Sequence, residues 1–253
     1  MSKYLVIASL LSTSLFTSSV AWSKADYSGQ QQVLNFEKCT SFFPENNPKL
    51  VLDNYSQALN TSQLCSDTFA VVYSKRTKTP LVVVEKLNAA MMQTKGESSG
   101  QAYFADPRIE KGETAELTDW NGANMDKGRL ALLSTFGHQN ANAQTYALTN
   151  VVAQPPRFHK QVWSKVEQEV KNYVSVAKGD VYVYTGALYT SIDKMQILGN
   201  NRVWVPTHLY KLVYDPTTNN AWAQVVANEA DAQIGKPLTY EAFMRTAKLR
   251  LLP

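Results

Sequence analysis

Two apolar, β-branched runs at residues 69–73 and 80–85 flank a polar turn at 75–79, an arrangement that predicts a β-hairpin. The stretch before it, residues 27–60, is polar and carries Pro44, Pro48 and the pair Asn46 and Asn47, so it reads as a loop-rich lead-in. Residues 94–100 turn polar with Gly and Ser, which predicts an exposed loop. Residues 118–131 and 145–150 then give strand, loop, strand. After Pro155 and Pro156, apolar residues recur at Val162, Trp163, Val166, Val170, Tyr173 and Val174, close to the period of an amphipathic helix over 158–174. The two prolines suit the entrance of that helix rather than its interior. Strand composition returns at 180–186, 203–206, 208–214 and 222–227, punctuated by Asp215-Pro216 and Asn219-Asn220, and a short helix is predicted over 240–247. The pattern as a whole is that of an α+β domain with a mainly antiparallel central sheet and flanking helices.

The first two dozen residues follow a different pattern. Lys3 precedes an uncharged, mostly apolar run at 4–16, and small residues close it at Ser19 and Ala21, with a second option at Ser23 and Ala25. The run is shorter than the roughly 20 residues of a spanning helix, which predicts a signal peptide within 1–25, cleaved after Ala21 or Ala25, rather than a membrane anchor. The expected protein is periplasmic or secreted, with residues 26–253 as one domain and no membrane partner. Cys39 and Cys65 are the only cysteines; in an exported chain they suggest one disulfide, the alternative being two unpaired buried thiols. A formal charge of +4 and a pI near 8.9 tolerate an anionic partner without demanding one.

The middle of the chain carries the candidate chemistry. Asp126-Lys127-Gly128-Arg129-Leu130-Ala131 is followed by Leu148-Thr149-Asn150, by Ala153-Gln154, and then by His159, Trp163 and Glu167 on the predicted helix. In order and spacing these segments resemble the signature of the DNA/RNA non-specific endonucleases with a ββα-metal motif. That signature is Asp-Arg-Gly-His with Leu-Ala, a strand ending in Ser-Asn with Pro-Gln after it, and a helix bearing Asn, Trp and Glu. Residues 182–186 and 205–211 look like the family's closing strands, and the Cys39/Cys65 lead-in is similar to that of exported members; the resemblance covers roughly residues 36–250.

The resemblance implies one divalent cation, Mg or Mn, held by the helix Asn and waters against the scissile phosphate, with a histidine activating water. It also implies a Glu that orients metal-bound waters, a strand Asn that fixes the histidine, and an upstream Arg that neutralises charge. Carried onto this chain, Asn150 and Glu167 stand at catalytic positions, His159 and Glu167 at metal positions, and Arg129 and Lys127 beside the substrate phosphate. Glu167 follows His159 by about 80° around an ideal helix, so both are expected to face one cleft.

Three positions depart from the pattern. Arg129 occupies the place of the general base, and a guanidinium with a pKa above about 12 cannot take a proton from water; it either binds phosphate or pairs with Asp126 or Glu167. His159 replaces the metal-binding Asn; imidazole favours a transition metal over Mg, the alternative being a polar helix-start residue that holds no ligand. Residues 98–104 contain no basic residue, leaving Arg108 or Lys95 as substitutes for the upstream Arg. His138 is the candidate replacement base, the alternative being a solvated loop histidine. His208, in a predicted strand, reads as structural, and Tyr182, Tyr184, Trp204 and Tyr210 read as core. Two functions stay open: a metal-dependent endonuclease acting on DNA or RNA, or an inactive pseudonuclease that binds nucleic acid or a protein partner.

Overall fold

The computed structural model describes residues 35–52, 58–93, 101–131, 139–190 and 195–253. The predicted hairpin is β2 (Ala70–Ser74) with β3 (Thr79–Leu87), and β1 (Thr61–Cys65) pairs with the outer side of β2. Helix α1 (Ala89–Gln93) follows, then the short ribbon strand β4 (Asp126–Arg129), helix α2 (Gln139–Gln144) and β5 (Val151–Gln154). A π-helical turn at Phe158–Trp163 runs directly into α3 (Ser164–Val176). The remainder is β6 (Val181–Leu188), the small hairpin β7 (Ile197–Leu198) and β8 (Val203–Trp204), β9 (His208–Asp215), β10 (Asn220–Ala227), β11 (Leu238–Thr239) and α4 (Tyr240–Ala247).

Seven strands form one antiparallel sheet in the order β1-β2-β3-β6-β9-β10-β11, while β4 and β5 form a separate two-stranded ribbon. Strand alternation sorts the sheet's side chains onto two covered faces. One face presents Val82, Val84, Tyr184, Tyr210 and Leu212 to Phe243 and to Phe36 and Phe43 of the lead-in. The other presents Val181, Val183 and Val213 to Val170 and Val174 of α3, and Val83 and Leu209 to Phe158, Trp163 and Val166. Tyr184 and Tyr210 are core, as expected, whereas Tyr182 and Trp204 are half-buried at its edge. Both faces are filled, so helix α3 and the β4–β5 ribbon sit at fixed positions over the second face.

The lead-in is held by the disulfide between Cys39 and Cys65, with Cα atoms 5.8 Å apart. The terminal helix has the predicted bounds; Thr239 caps it by accepting a hydrogen bond from the Ala242 backbone N–H at 3.2 Å. One local expectation is corrected. Leu148–Asn150 forms a 3-10 turn, and the second ribbon strand begins only at Val151. From this turn the Asn150 side chain bonds the backbone at Ala131 and Thr145. Among the described residues, no helix is long and apolar enough to cross a membrane.

Candidate active site

The ribbon pairs Asp126 with Gln154 and Arg129 with Val151. Gly128 lies under the Gln154 side chain: a Cβ there would fall 2.3 Å from the Gln154 Cδ, so any larger residue requires the end of the Gln154 side chain to move away. Asn150 is fully buried and spends its amide on the backbone. Its Oδ1 accepts from the Ala131 N–H at 2.9 Å and its Nδ2 donates to the Thr145 carbonyl at 2.9 Å. This side chain therefore ties the exit of β4 to the segment that precedes β5. Its role is positional.

What Asn150 positions is Arg129. One guanidinium Nη donates to Thr145 Oγ1 at 2.9 Å, and the group lies 4.3 Å from the centroid of the Tyr146 ring. Thr145 Oγ1 in turn donates to the Asn142 carbonyl at 2.8 Å, which fixes it as an acceptor toward Arg129. The expected ion pair of Arg129 with Asp126 or Glu167 is not formed; Thr145 and Tyr146 take those places. Thr145 takes one of the five guanidinium donors, and among the described residues no carboxylate takes another. Tyr146 rests on Tyr103 at 5.1 Å between centroids, and Lys127 Nζ lies 5.8 Å from the Tyr103 centroid and 5.5 Å from that of Trp120. Tyr103 donates its hydroxyl to the Lys127 carbonyl at 3.0 Å. Burial pushes that phenol's pKa up, Arg129 opposes the shift, and Asp126 adds to it, so both charges act on the same hydroxyl.

On the helix side, His159 Nδ1 lies 3.0 Å from Asp126 Oδ2, and Lys160 Nζ lies 3.6 Å from the same oxygen. The hydrogen bond from His159, aided by Lys160, holds the Asp126 carboxyl below the usual carboxylate range. An ionised carboxylate only accepts, so Nδ1 is the donor of this bond and Nε2 is the ring nitrogen left for another partner. The π-helical turn changes the phase of the helix. The Ser164 N–H bonds back to the His159 carbonyl, which inserts one residue beyond an α-turn. His159 and Glu167 are then separated by the equivalent of seven α-helical steps, about 20° apart rather than about 80°. They share a line along the helix, roughly two turns apart.

Glu167 also faces the sheet. It acts on Lys211, which is fully buried on β9, donates to Thr185 Oγ1 at 2.8 Å and lies 5.6 Å from the Trp163 ring. Burial lowers the Lys211 pKa, while Glu167 and Glu85 push it back up.

The remaining candidates fall away from this cluster or outside it. Arg108 cannot replace the upstream Arg, because its guanidinium is committed to Asp106 at 2.9 and 2.6 Å and to the Cys65 carbonyl at 2.5 Å, all nearly buried. His138 and Lys95 lie outside the described residues. His208 Nδ1 lies 3.2 Å from Thr207 Oγ1 at the start of β9, and burial lowers its pKa. Tyr103, Thr145 and Tyr146 belong to the site without having been singled out in the sequence. Tyr103 arrives from a separate segment through the parallel bridge of Phe104 with Ala147, and no local spacing announces such a contact.

Among the described residues no three His, Cys, Asp or Glu side chains form a metal cage. The single imidazole nonetheless has the carboxylate-histidine arrangement that orients a metal ligand, with Nε2 directed away from Asp126. Such a nitrogen suits Mn, Ni, Cu or Zn and is a poor partner for Mg.

Comparison with known proteins bears on this geometry. Residues 46–244 match the model of the DNA/RNA non-specific endonucleases. The chain is 30% identical over 155 residues to mitochondrial endonuclease G of Bos taurus, covering 58% of this chain and 52% of that protein. It is 27% identical over 168 residues to nuclease C1 of Cunninghamella echinulata var. echinulata, covering 62% and 66%. Against the human mitochondrial nuclease EXOG the figures are 25% over 175 residues, 65% and 47%. The chain thus spans about half the length of the endonuclease G and EXOG proteins it matches. In fold it resembles a chain in a crystal structure of an EndoG/EndoGI complex, with a TM-score of 0.66, 24% identity, and coverage of 74% of this chain and 84% of that one.

Proposed function

Given that the chain belongs to the DNA/RNA non-specific endonuclease family, we propose that it hydrolyses phosphodiester bonds of DNA or RNA with the help of a divalent transition metal at His159. The observation that carries this reading is the bond between Asp126 and His159 Nδ1, which turns a lone imidazole into an oriented ligand at the position of the family's metal-holding Asn. A cation on that nitrogen would place positive charge against the scissile phosphate and lower the pKa of water, removing the need for a side-chain base at position 129. Arg129 then serves as a cation for the phosphate, with Lys127 beside it. Asp126 holds the imidazole tautomer, and Glu167, on the same line of the helix, accepts hydrogen bonds from water below it. We place the protein in the periplasm or outside the cell, a location that suits its disulfide.

The test is cleavage of supercoiled plasmid and of RNA by the mature protein in Mg, Mn, Ni or Zn, each with an EDTA control. Cleavage is expected to be stronger with the transition metals than with Mg and to fall at least about 100-fold in His159→Ala. Activity no greater than that of Glu167→Ala under every metal would refute the enzyme reading. Fractionation with N-terminal sequencing of the mature chain tests the location; a start at Met1 would refute export by a cleaved signal.

A further inference from the structure

We infer that Lys127 and Arg129 form a two-phosphate track that binds consecutive phosphates of one nucleic-acid strand without needing the metal. The inference rests on the nuclease reading for its ligand class, and on separate observations for its geometry. The two cations are alternate residues of β4, so they project from the same face of the ribbon with their Cα atoms about 6.7 Å apart, a backbone spacing close to that of consecutive phosphates along a strand. Each is seated on aromatic rings: Arg129 on Tyr146, Lys127 on Tyr103 and Trp120. The contact between Tyr103 and Tyr146 makes one continuous support under both.

The seat matters because long cationic side chains normally lose rotamer freedom when they grip a ligand. Here Thr145 and Tyr146 have already restricted Arg129, and no ion pair with a described carboxylate competes for it or for Lys127. Asp126 is the acidic group whose field reaches Tyr103, and His159 and Lys160 hold its charge on the other side. Tyr146, Tyr103 and Thr145 are positioning residues in this scheme; Arg129 and Lys127 touch the strand. A lone phosphate would fill one position of the track, and a nucleoside carrying phosphates on both the 3′ and 5′ oxygens would fill two.

The experiment uses the mature protein in EDTA, where turnover cannot contribute. Calorimetry compares a nucleoside 3′,5′-bisphosphate with the corresponding 5′-monophosphate, and anisotropy follows a labelled single-stranded 12-mer across a salt series. The bisphosphate is expected to bind about tenfold more tightly, and either Arg129→Gln or Lys127→Gln should abolish that advantage. Each substitution should also reduce the salt slope for the 12-mer by about 0.7, the two together by about 1.4. Tyr146→Leu should reproduce part of the Arg129 loss while Tyr146→Phe retains binding, a distinction that a general loss of folding would not produce. Equal affinity for the two nucleotides, or an advantage that survives both glutamine substitutions, would overturn the track. Cleavage that depends on His159 would stand in that event, and a track that binds without cleavage would stand if the nuclease reading failed.

Discussion

Replacing Asn150 with alanine separates a positioning amide from a catalytic one. Asn150 is fully buried, and its side chain pairs the Ala131 N–H and the Thr145 carbonyl at 2.9 Å each. Alanine leaves both backbone groups without that partner. A buried polar group left unpaired costs about 1 to 3 kcal/mol, so the pair costs about 2 to 6 kcal/mol, with a small cavity added. At a urea slope of about 2 kcal/mol per molar, the unfolding midpoint should fall by at least about 1 M with the slope unchanged. Asn150→Asp should also be destabilised, because its carboxylate can still accept from Ala131 but would face the Thr145 carbonyl without a proton to give. Urea denaturation followed by near-UV circular dichroism measures both variants. A midpoint shift below about 0.5 M in Asn150→Ala, together with lost plasmid cleavage, would refute the positional role and return Asn150 to the chemistry.

Three further outcomes are expected. Reduction of the Cys39–Cys65 bond, which closes a separation of 26 residues, should lower stability by about 3.5 kcal/mol on the loop-entropy estimate, read as the urea midpoint with and without reductant. His208 is held neutral by burial below its ordinary value of 6.5, so on acidification the unfolded state takes the proton first; stability should fall as pH drops below about 6.5, and His208→Gln should flatten that fall between pH 7.5 and about 5.5. In Gly186→Ala the new Cβ would lie 2.1 Å from the Leu81 carbonyl oxygen, a backbone atom that cannot step aside, so a loss of about 2 kcal/mol or more should appear as a lower thermal midpoint.

Much of the architecture is legible along the chain because burial on one face writes its period into the sequence. The apolar residues from Val162 to Val174 announce α3, the runs around residues 75–79 announce the β2–β3 hairpin, and the terminal helix has the expected bounds. The order of Asp126, Asn150, His159 and Glu167 likewise marks the ribbon and the helix that carry the site. Its residue types also determine that position 129 holds no base, since no packing turns a guanidinium into a proton acceptor near neutral pH.

Tertiary structure decided the partners. Arg129 had three acceptable neighbours by charge alone, and packing gave it Thr145 and Tyr146 instead of a carboxylate. The bond of Asp126 to His159 joins residues 33 apart, and Tyr103 reaches Lys127 across 24; neither leaves a periodic trace. The π-helical turn moved Glu167 into line with His159 by a phase change that an ideal helix does not contain. Lys211 is the sharpest case: a lysine in a strand reads as a solvent-facing charge, yet the sheet and α3 enclose it beside Thr185 and Trp163. Periodicity reports which face of an element is buried, whereas hydrogen-bond partners depend on how faces meet, and that is settled only when the sheet, ribbon and helix pack together.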